Sequence, residues 1–246
     1  MVGKKSRFAA ALALLLVPSV AFGAAVTVKG KLAGTQKLLN PVWNEAKEKD
    51  AHRYTFREFS ATTRFEVRTL TAQLDKEVAI VAISDAGGAK VKGNMDLIGG
   101  RASPVTLVIT QGESVQFTNK DPFPHKIYDT GNKGLQVGET PSNKARSWTP
   151  PAAGKYEIRD QTSPSLRAWI VVEPKAVATT YPDRKGEFGI DLEPGKYKLR
   201  AYHNGDIVVK DFEVVVATAP AEQPLKAALQ VTVAGAAAEP KKDEKK

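Results

Sequence analysis

Short strand-like segments recur along this chain at intervals of about ten residues, with Gly- and Pro-rich turns between them. Residues 26–32 alternate apolar and polar side chains, as a half-buried strand does, whereas 77–83 is almost entirely apolar, which is typical of a strand buried on both faces. One short helix is expected over 42–49, and the Gly pairs at 87–88 and 99–100 are expected to bracket a loop. This pattern predicts an all-β fold made of sandwiches. Further strands are predicted over 54–59, 65–68, 105–109, 114–119, 155–159, 168–172, 186–190, 197–202, 211–216 and 229–233.

The N-terminus has the three-part layout of a secretory signal peptide. Lys4, Lys5 and Arg7 form a basic start, residues 8–17 form an apolar run, and small residues lead to a cleavage point expected after Gly23. The apolar run is shorter than the ~20 residues that span a bilayer, which favours cleavage over an N-terminal membrane anchor. We therefore expect an exported protein, periplasmic or secreted, that does not span the membrane.

The chain carries a formal net charge of +9 and contains no cysteine. No disulfide can form in it, so its stability must come from core burial. Cations and aromatic residues interleave over 52–68. Outside the cytosol the expected anionic partner of that stretch is an envelope glycan, a lipid headgroup or a protein, and no nucleic acid is expected. The alternative is an edge strand with its aromatic side chains inside and its arginines in solvent. The candidate anion-binding residues are Arg53, Arg57, Arg64 and Arg68.

A strand, a turn at Gly112-Glu113 and a second strand lead into the run Asn-Lys-Asp-Pro-Phe-Pro-His, which ends at His125. This order resembles the first half of a cupredoxin, the plastocyanin-like fold. The resemblance implies a Greek-key β-sandwich and places His125 at the position of the first copper ligand.

The second half of the resemblance begins at Gly154-Lys155-Tyr156, where cupredoxin-like exported proteins have a Gly-x-Tyr strand followed by Cys-x-x-His-Pro-Ser-Met. Pro164 and Ser165 match that pattern. By the resemblance, the cysteine, histidine and methionine ligands are replaced. Their positions are held by Asp160, Ser163 and Leu166.

The absence of cysteine excludes a blue-copper centre on chemical grounds. Such a centre takes two imidazoles and a thiolate, with a weak axial thioether, and no other side chain supplies the thiolate. What remains is His125 opposite Asp160. These two side chains are expected either to form a hydrogen-bonded clasp between two loops, with no cofactor, or to bind copper or zinc weakly together with water.

A second resemblance covers residues 178–203, which contain Ala-Thr-Thr-Tyr-Pro-Asp-Arg-Lys-Gly-Glu-Phe and then Leu-Glu-Pro-Gly-Lys-Tyr-Lys-Leu-Arg-Ala-Tyr-His. These segments resemble a carboxypeptidase-regulatory-like module. The resemblance implies a small immunoglobulin-like sandwich, related in fold to carbohydrate-binding domains and without catalysis of its own. The expected division begins with a signal peptide at 1–23 and an unassigned segment at 24–75. A cupredoxin-like domain at 76–174 and the regulatory-like module at 175–216 follow, with strand 26–32 as a candidate addition to that module. Residues 217–246 are expected to form an Ala/Pro linker, one candidate strand and a charged tail.

No catalytic motif is visible in the sequence. There is no Gly-x-Ser-x-Gly and no cysteine, and the histidines His52, His125 and His203 lie in separate segments. We therefore predict that the protein is not an enzyme. Two classes remain open: a binding or scaffolding protein of the cell envelope, and a periplasmic metal-handling or electron-transfer protein with a non-thiolate site at His125.

Overall fold

The computed structural model describes residues 25–39 and 71–232. These residues form an all-β fold, which confirms the predicted class; their helices are a 3-10 turn at Thr35–Lys37 and a four-residue helix, α1, at Leu74–Glu77. No helix in these two ranges is long and apolar enough to cross a bilayer. The predicted signal peptide, the helix over 42–49, the candidate arginines (Arg53, Arg57, Arg64 and Arg68) and the charged end of the chain lie outside the described residues.

The strands are short, as the spacing of the turns predicts. They are β1 (Val26–Ala33), β2 (Val78–Ile83), β3 (Gly93–Ile98), β4 (Arg101–Ser103), β5 (Thr106–Thr110), β6 (Val115–Asn119), β7 (His125–Asp129), β8 (Gly138–Thr140), β9 (Ala145–Trp148), β10 (Gly154–Asp160), β11 (Arg167–Glu173), β12 (Ala176–Thr180), β13 (Glu187–Leu192), β14 (Gly195–His203), β15 (Asp206–Val216), β16 (Glu222–Pro224) and β17 (Leu229–Gln230).

Strands β3 to β11 form one sandwich, called here the central sandwich. Its two sheets have the orders β4-β3-β6-β9 and β5-β11-β10-β7-β8. The alternation of β6 places Val115 and Phe117 in the core and Gln116 in solvent. Phe117 of β6 and Ile127 of β7 are completely buried in this core. The strand that carries His125 is therefore fixed by packing.

The remaining strands form the flanking sandwich, with sheets β13-β1-β16 and β12-β2-β14-β15, and β17 also pairs with β1. Strand β1 pairs antiparallel with β13, Val28 opposite Ile190. Strand β2 pairs with β12 and β14, so by its hydrogen bonds it lies in the flanking sandwich, although it falls inside the range 76–174. The flanking sandwich is therefore built from both ends of the described chain.

Strand β2 is buried on both faces, as its apolar composition predicts. One face, with Ile80 at its centre, lies in the core of the flanking sandwich. The opposite face, with Val81 at its centre, packs against Val108 of β5 and Val171 of β11 in the central sandwich. An all-apolar strand is required here because neither face meets water.

Polar contacts also join the two sandwiches. Glu173, at the end of β11, accepts hydrogen bonds from Arg200 Nη1 and from the Tyr202 hydroxyl through the same oxygen, both at 2.8 Å. Arg200 Nε donates to Asp211 at 2.7 Å. Burial raises the pKa of Tyr202 to about 12, and its hydrogen bond to Glu173 adds to the rise. Tyr202 is therefore a neutral donor at the junction.

Two expectations about loops differ from the structure. Residues 93–98, between the Gly pairs, are strand β3, because Gly93, Met95 and Leu97 alternate inward and pair in parallel with β6. Within 217–224, expected as a linker, Glu222–Pro224 forms β16 and pairs in parallel with β1. In both places the backbone hydrogen bonds to a neighbouring strand make the segment a strand, and the local sequence does not indicate that neighbour.

Candidate functional site

His125 and Asp160 meet at one end of the central sandwich. His125 begins β7 and Asp160 ends β10, and because these strands run antiparallel with Asp160 opposite Ile127, both side chains reach the same end of the sheet. His125 is 0% exposed and Asp160 is buried. The Nδ1 of His125 lies 2.5 Å from Oδ2 of Asp160, which is a short, direct hydrogen bond.

The other ring nitrogen of His125 contacts a second carboxylate, that of Asp121. Nε2 lies 3.0 Å from Asp121 Oδ2. Asp121 also accepts hydrogen bonds from the backbone N–H groups of Gly99 at 2.6 Å and Gly100 at 2.8 Å. Both glycines have left-handed backbone, with φ of 61° and 65°, so that two successive N–H groups point at one anion.

Asp160 is equally well satisfied by hydrogen bonds. Its Oδ1 accepts from the backbone N–H of Lys126 at 2.7 Å and of Thr162 at 3.0 Å, and its Oδ2 accepts from that of Ser163 at 3.1 Å. The carboxylate therefore ties the start of β7 to the loop after β10. Buried carboxylates are retained in proteins when they are bonded in this way.

Both ring nitrogens of His125 are engaged by carboxylates of the Asp121–His125–Asp160 cluster. An ionised carboxylate only accepts hydrogen bonds, so a ring nitrogen donates to it when that nitrogen carries the proton. Five backbone N–H groups also donate to the two carboxylates. The cluster is closed: each ring nitrogen already has a partner.

The electrostatics of Asp121 follow from these contacts. Burial alone would raise the pKa of Asp121, but the N–H groups of Gly100 and Gly99 and the contact with His125 outweigh it, and the pKa lies below its usual value. Asp121 is therefore ionised at neutral pH and acts as an acceptor for both the turn and the ring.

Asn119 holds the loop that carries Asp121 and Phe123. Its Nδ2 donates to the carbonyls of Phe123 and Thr140, both at 2.9 Å, and its Oδ1 accepts from the N–H of Asp121. The ring of Phe123 lies 5.0 Å from that of His125, tilted by 53°. The run from Asn119 to His125 is thus a rigid loop rather than a flexible connection.

The other two positions singled out in the sequence lie in the loop after β10. Ser163 is half-buried, and a Cβ at Gly100 would lie 3.3 Å from its Oγ, so the two loops touch. Leu166 is completely buried in the apolar core, and its N–H donates to the carbonyl of Ser163 at 2.8 Å. Neither side chain contributes a ligand atom to the cluster.

His203 lies in the other sandwich, at the end of β14. Its Nε2 is 3.6 Å from Glu77 Oε2. Within residues 25–39 and 71–232, no group of three or more His, Cys, Asp or Glu side chains is arranged to hold a metal ion. His52 lies outside these ranges.

No family model matches the chain, and no curated protein sequence matches it. Among solved structures it is similar to an oxidised amicyanin variant, with 20% identity over 38% of this chain and 99% of that chain and a TM-score of 0.31. It is also similar to a reduced amicyanin variant, with 21% identity over 39% of this chain and 99% of that chain and a TM-score of 0.31. A Cu-containing nitrite reductase from Thermus scotoductus SA-01 gives 21% identity over 34% of this chain and 22% of that chain, with a TM-score of 0.30.

The residues present do not fit a blue-copper ion. The chain has no cysteine to supply the thiolate, and Leu166 offers no donor atom. Both nitrogens of His125 already contact carboxylates, and an ion would have to displace one of these buried contacts. The donor set therefore does not match a blue-copper centre.

Asp121 is the site residue that the sequence analysis did not single out. It lies in the same run as His125, four residues earlier, and the resemblance drew attention only to the ligand positions. The signal was the Gly99-Gly100 pair, since two adjacent glycines with positive φ can direct two N–H groups at one carboxylate.

Proposed function

We propose that this chain is an exported, non-catalytic binding or scaffolding protein of the cell envelope. In this proposal the central sandwich keeps a cupredoxin-like fold, and the copper-ligand positions His125, Asp160, Ser163 and Leu166 have become structural. A buried clasp takes the place of an electron-transfer centre, and the loops around it provide a surface for a partner.

The observation that supports the proposal is that both nitrogens of His125 face buried carboxylates. A redox or metal-handling site needs an open ligand atom, and a general base needs a free lone pair within reach of a substrate. Both nitrogens of the His125 ring are engaged by Asp160 and Asp121, so the ring offers neither. A closed buried network of this kind specifies loop geometry, which suits a protein that presents a fixed surface.

The test is a metal titration of tag-free protein lacking residues 1–23. Isothermal titration with Cu²⁺ and with Zn²⁺ is expected to show no stoichiometric binding, and His125→Ala is expected to give the same trace. His203→Ala is the matched control, because it removes a second buried imidazole, one that lies in the flanking sandwich.

Tight 1:1 binding that is lost in His125→Ala and kept in His203→Ala would overturn the proposal. It would favour the metal-handling alternative, with His125 and Asp160 as ligands. Binding retained in both variants points to a site elsewhere on the chain and leaves the clasp as described.

A further inference from the structure

A gap in strand pairing lies along one side of β1 in the flanking sandwich. On this side β16 pairs with β1 as far as Lys29, and β17 pairs with it from Leu32 onward. Among the described residues, Gly30 and Lys31 have no paired residue on this side. Residues 225–228 join β16 to β17 and are four residues long, against two unpaired positions on β1, so this segment bows away from the sheet.

The gap has an apolar base because position 30 is a glycine. A Cβ at Gly30 would clash with the ring of Phe188 and would lie 2.7 Å from Cδ1 of Leu225. Phe188 is buried, and Leu225 is held at the gap by the hydrogen bond from its N–H to the carbonyl of Lys29, at 2.7 Å. Both apolar side chains therefore reach the gap with no side chain of position 30 between them.

The gap opens into a cleft of about 440 Å³. The cleft is lined by residues 29–31 of β1, by Glu187 and Phe188 of β13, and by residues 225–228. Sites for small molecules commonly have volumes of about 300–1,000 Å³ and an apolar lining with a few polar groups. The cleft therefore has the size and the composition of a small-molecule site.

The charges at the cleft favour an anion. Three lysines line it, against the one carboxylate of Glu187. Lys29 pairs with Glu222 at 2.7 Å and Lys31 with Glu187 at 3.5 Å, but both pairs are exposed, and exposed pairs are weak. Lys226 is exposed and forms no ion pair within ranges 25–39 and 71–232, so its ammonium group is available to a ligand with a single negative charge.

We propose that this cleft binds a free carboxylic acid with an unbranched aliphatic chain. The carboxylate lies against Lys226, where a charge-assisted hydrogen bond orients it, and the chain lies against Phe188 and Leu225, where its burial supplies affinity. The inference goes beyond the proposed function, because the site lies on the flanking sandwich and does not involve the cluster at His125.

A free acid suits the cleft better than a bilayer does. Stable binding to a bilayer surface needs a broad apolar face or a dense basic cluster. Here the aromatic ring lies at the base of a recess, with Phe188 only 6% exposed, and the exposed apolar residue beside it, Ala227, is small. A single aliphatic chain can enter this recess, whereas a flat membrane surface meets mainly lysine side chains.

The test is a titration of the ¹⁵N-labelled full chain with octanoate, followed by amide chemical shifts. We expect saturable shifts at Gly30, Lys31 and residues 226–228. Octanol, which lacks the charge, and octylamine, which has the opposite charge, should bind more weakly than octanoate. Butanoate should bind about tenfold or more weakly than octanoate, because fewer CH₂ groups are buried.

Two exposed positions allow the site to be changed without disturbing the core. Lys226→Glu should weaken octanoate binding by about tenfold, because an attraction becomes a repulsion, and Lys226→Arg should retain the binding. Ala227→Glu should weaken it as well. The matched control is Lys196→Glu, which makes the same change of charge at an exposed lysine of β14 and should leave the affinity unchanged.

Three outcomes would overturn the inference: no saturable shifts at the cleft with octanoate, equal affinity for octanoate and octanol, or an unchanged affinity in Lys226→Glu. Sedimentation with phosphatidylglycerol vesicles that is lost in Lys226→Glu would assign the cleft to a membrane lipid and would also overturn the free acid. Metal binding at His125 would instead overturn the proposed function, so the two failures are distinguishable.

Discussion

The residue at position 160 decides the chemistry of the site. A carboxylate there gives His125 a charged acceptor at 2.5 Å, and Asp121 gives it a second acceptor at 3.0 Å. Each member of the cluster is buried, so the contribution of each to the free energy of unfolding depends on the presence of the others. Removal of one member leaves the remaining charges without their partner.

Replacement of the imidazole tests this dependence. His125→Ala leaves two buried carboxylates facing a cavity, and we expect a loss of about 3–5 kcal/mol in the free energy of unfolding. Urea unfolding followed by fluorescence measures it. The control is Asp206→Asn, whose ion pair with Lys155 is exposed, and it should leave the unfolding midpoint nearly unchanged. Equal midpoints for the two variants would contradict the structural role of the cluster.

The depressed pKa of Asp121 leads us to expect that the stability of the protein falls at acid pH. Its pKa in the folded protein is depressed below the ordinary value of 3.8, so its contribution is present above that value and is lost as the pH falls through the folded pKa. We expect the urea midpoint to fall steeply below about pH 4. Asp121→Asn should be less stable at neutral pH and should show a shallower decline in acid. An unchanged acid slope in this variant would refute the assignment.

At the scale of elements, the β3–β4 turn shows how backbone conformation serves the site. Gly99 and Gly100 both have positive φ, and both N–H groups bind Asp121. A Cβ at Gly99 would meet nothing within 4 Å, whereas a Cβ at Gly100 would lie 3.3 Å from Ser163 Oγ. An alanine would therefore be strained at either position, but only at position 100 would its Cβ also press against Ser163.

This difference gives a matched pair of variants. Gly99→Ala should cost about 1 kcal/mol in the free energy of unfolding, because an L-residue is strained at that φ. Gly100→Ala should cost more, because Ser163 must also move. Thermal unfolding of both variants side by side measures the two costs. A smaller cost at Gly100 than at Gly99 would show that the two loops do not press on each other.

The sequence predicted the elements with the strongest patterns and missed those that depend on partners. Strands β1, β2, β6 and β11 have clear alternation or continuous apolar runs, and all were expected. Strand β16 is three residues long and exists because its backbone pairs with β1. Asp121 was missed for the same reason, since its role depends on a turn about twenty residues away in sequence.

At the scale of the whole molecule, the two sandwiches are joined by an apolar contact and a polar one. Val81 packs against Val108 and Val171, and Glu173 accepts from Arg200 and Tyr202. The polar contact adds a titratable group to the junction. The stability of the junction should therefore depend on pH at the alkaline end.

Tyr202 sets the pH range of that dependence. Its pKa is raised from 10.0 to about 12, so its contribution is fully present below pH 10 and is lost as the pH rises toward 12. We expect the unfolding temperature to fall over this range in the parent chain, and to fall less in Tyr202→Phe. The comparison is Tyr197→Phe: burial also raises the pKa of Tyr197, whose hydroxyl donates to the carbonyl of Glu193 inside the flanking sandwich, but its rise is smaller, so this variant should change the alkaline slope less. Identical alkaline slopes for the parent and Tyr202→Phe would contradict the assignment.

The chain leaves the flanking sandwich and returns to it at neighbouring points. Ile83 lies opposite Ala176, and the N–H of Ser84 donates to the carbonyl of Lys175 at 3.0 Å. The central sandwich is thus an insertion between two paired strands, β2 and β12. Replacement of residues 85–174 by Asn-Gly would join these strands as a β-hairpin with a tight turn. This deletion variant would need polar residues at Ala79, Val81 and Ile83, since the face of β2 that the central sandwich covers would then meet water.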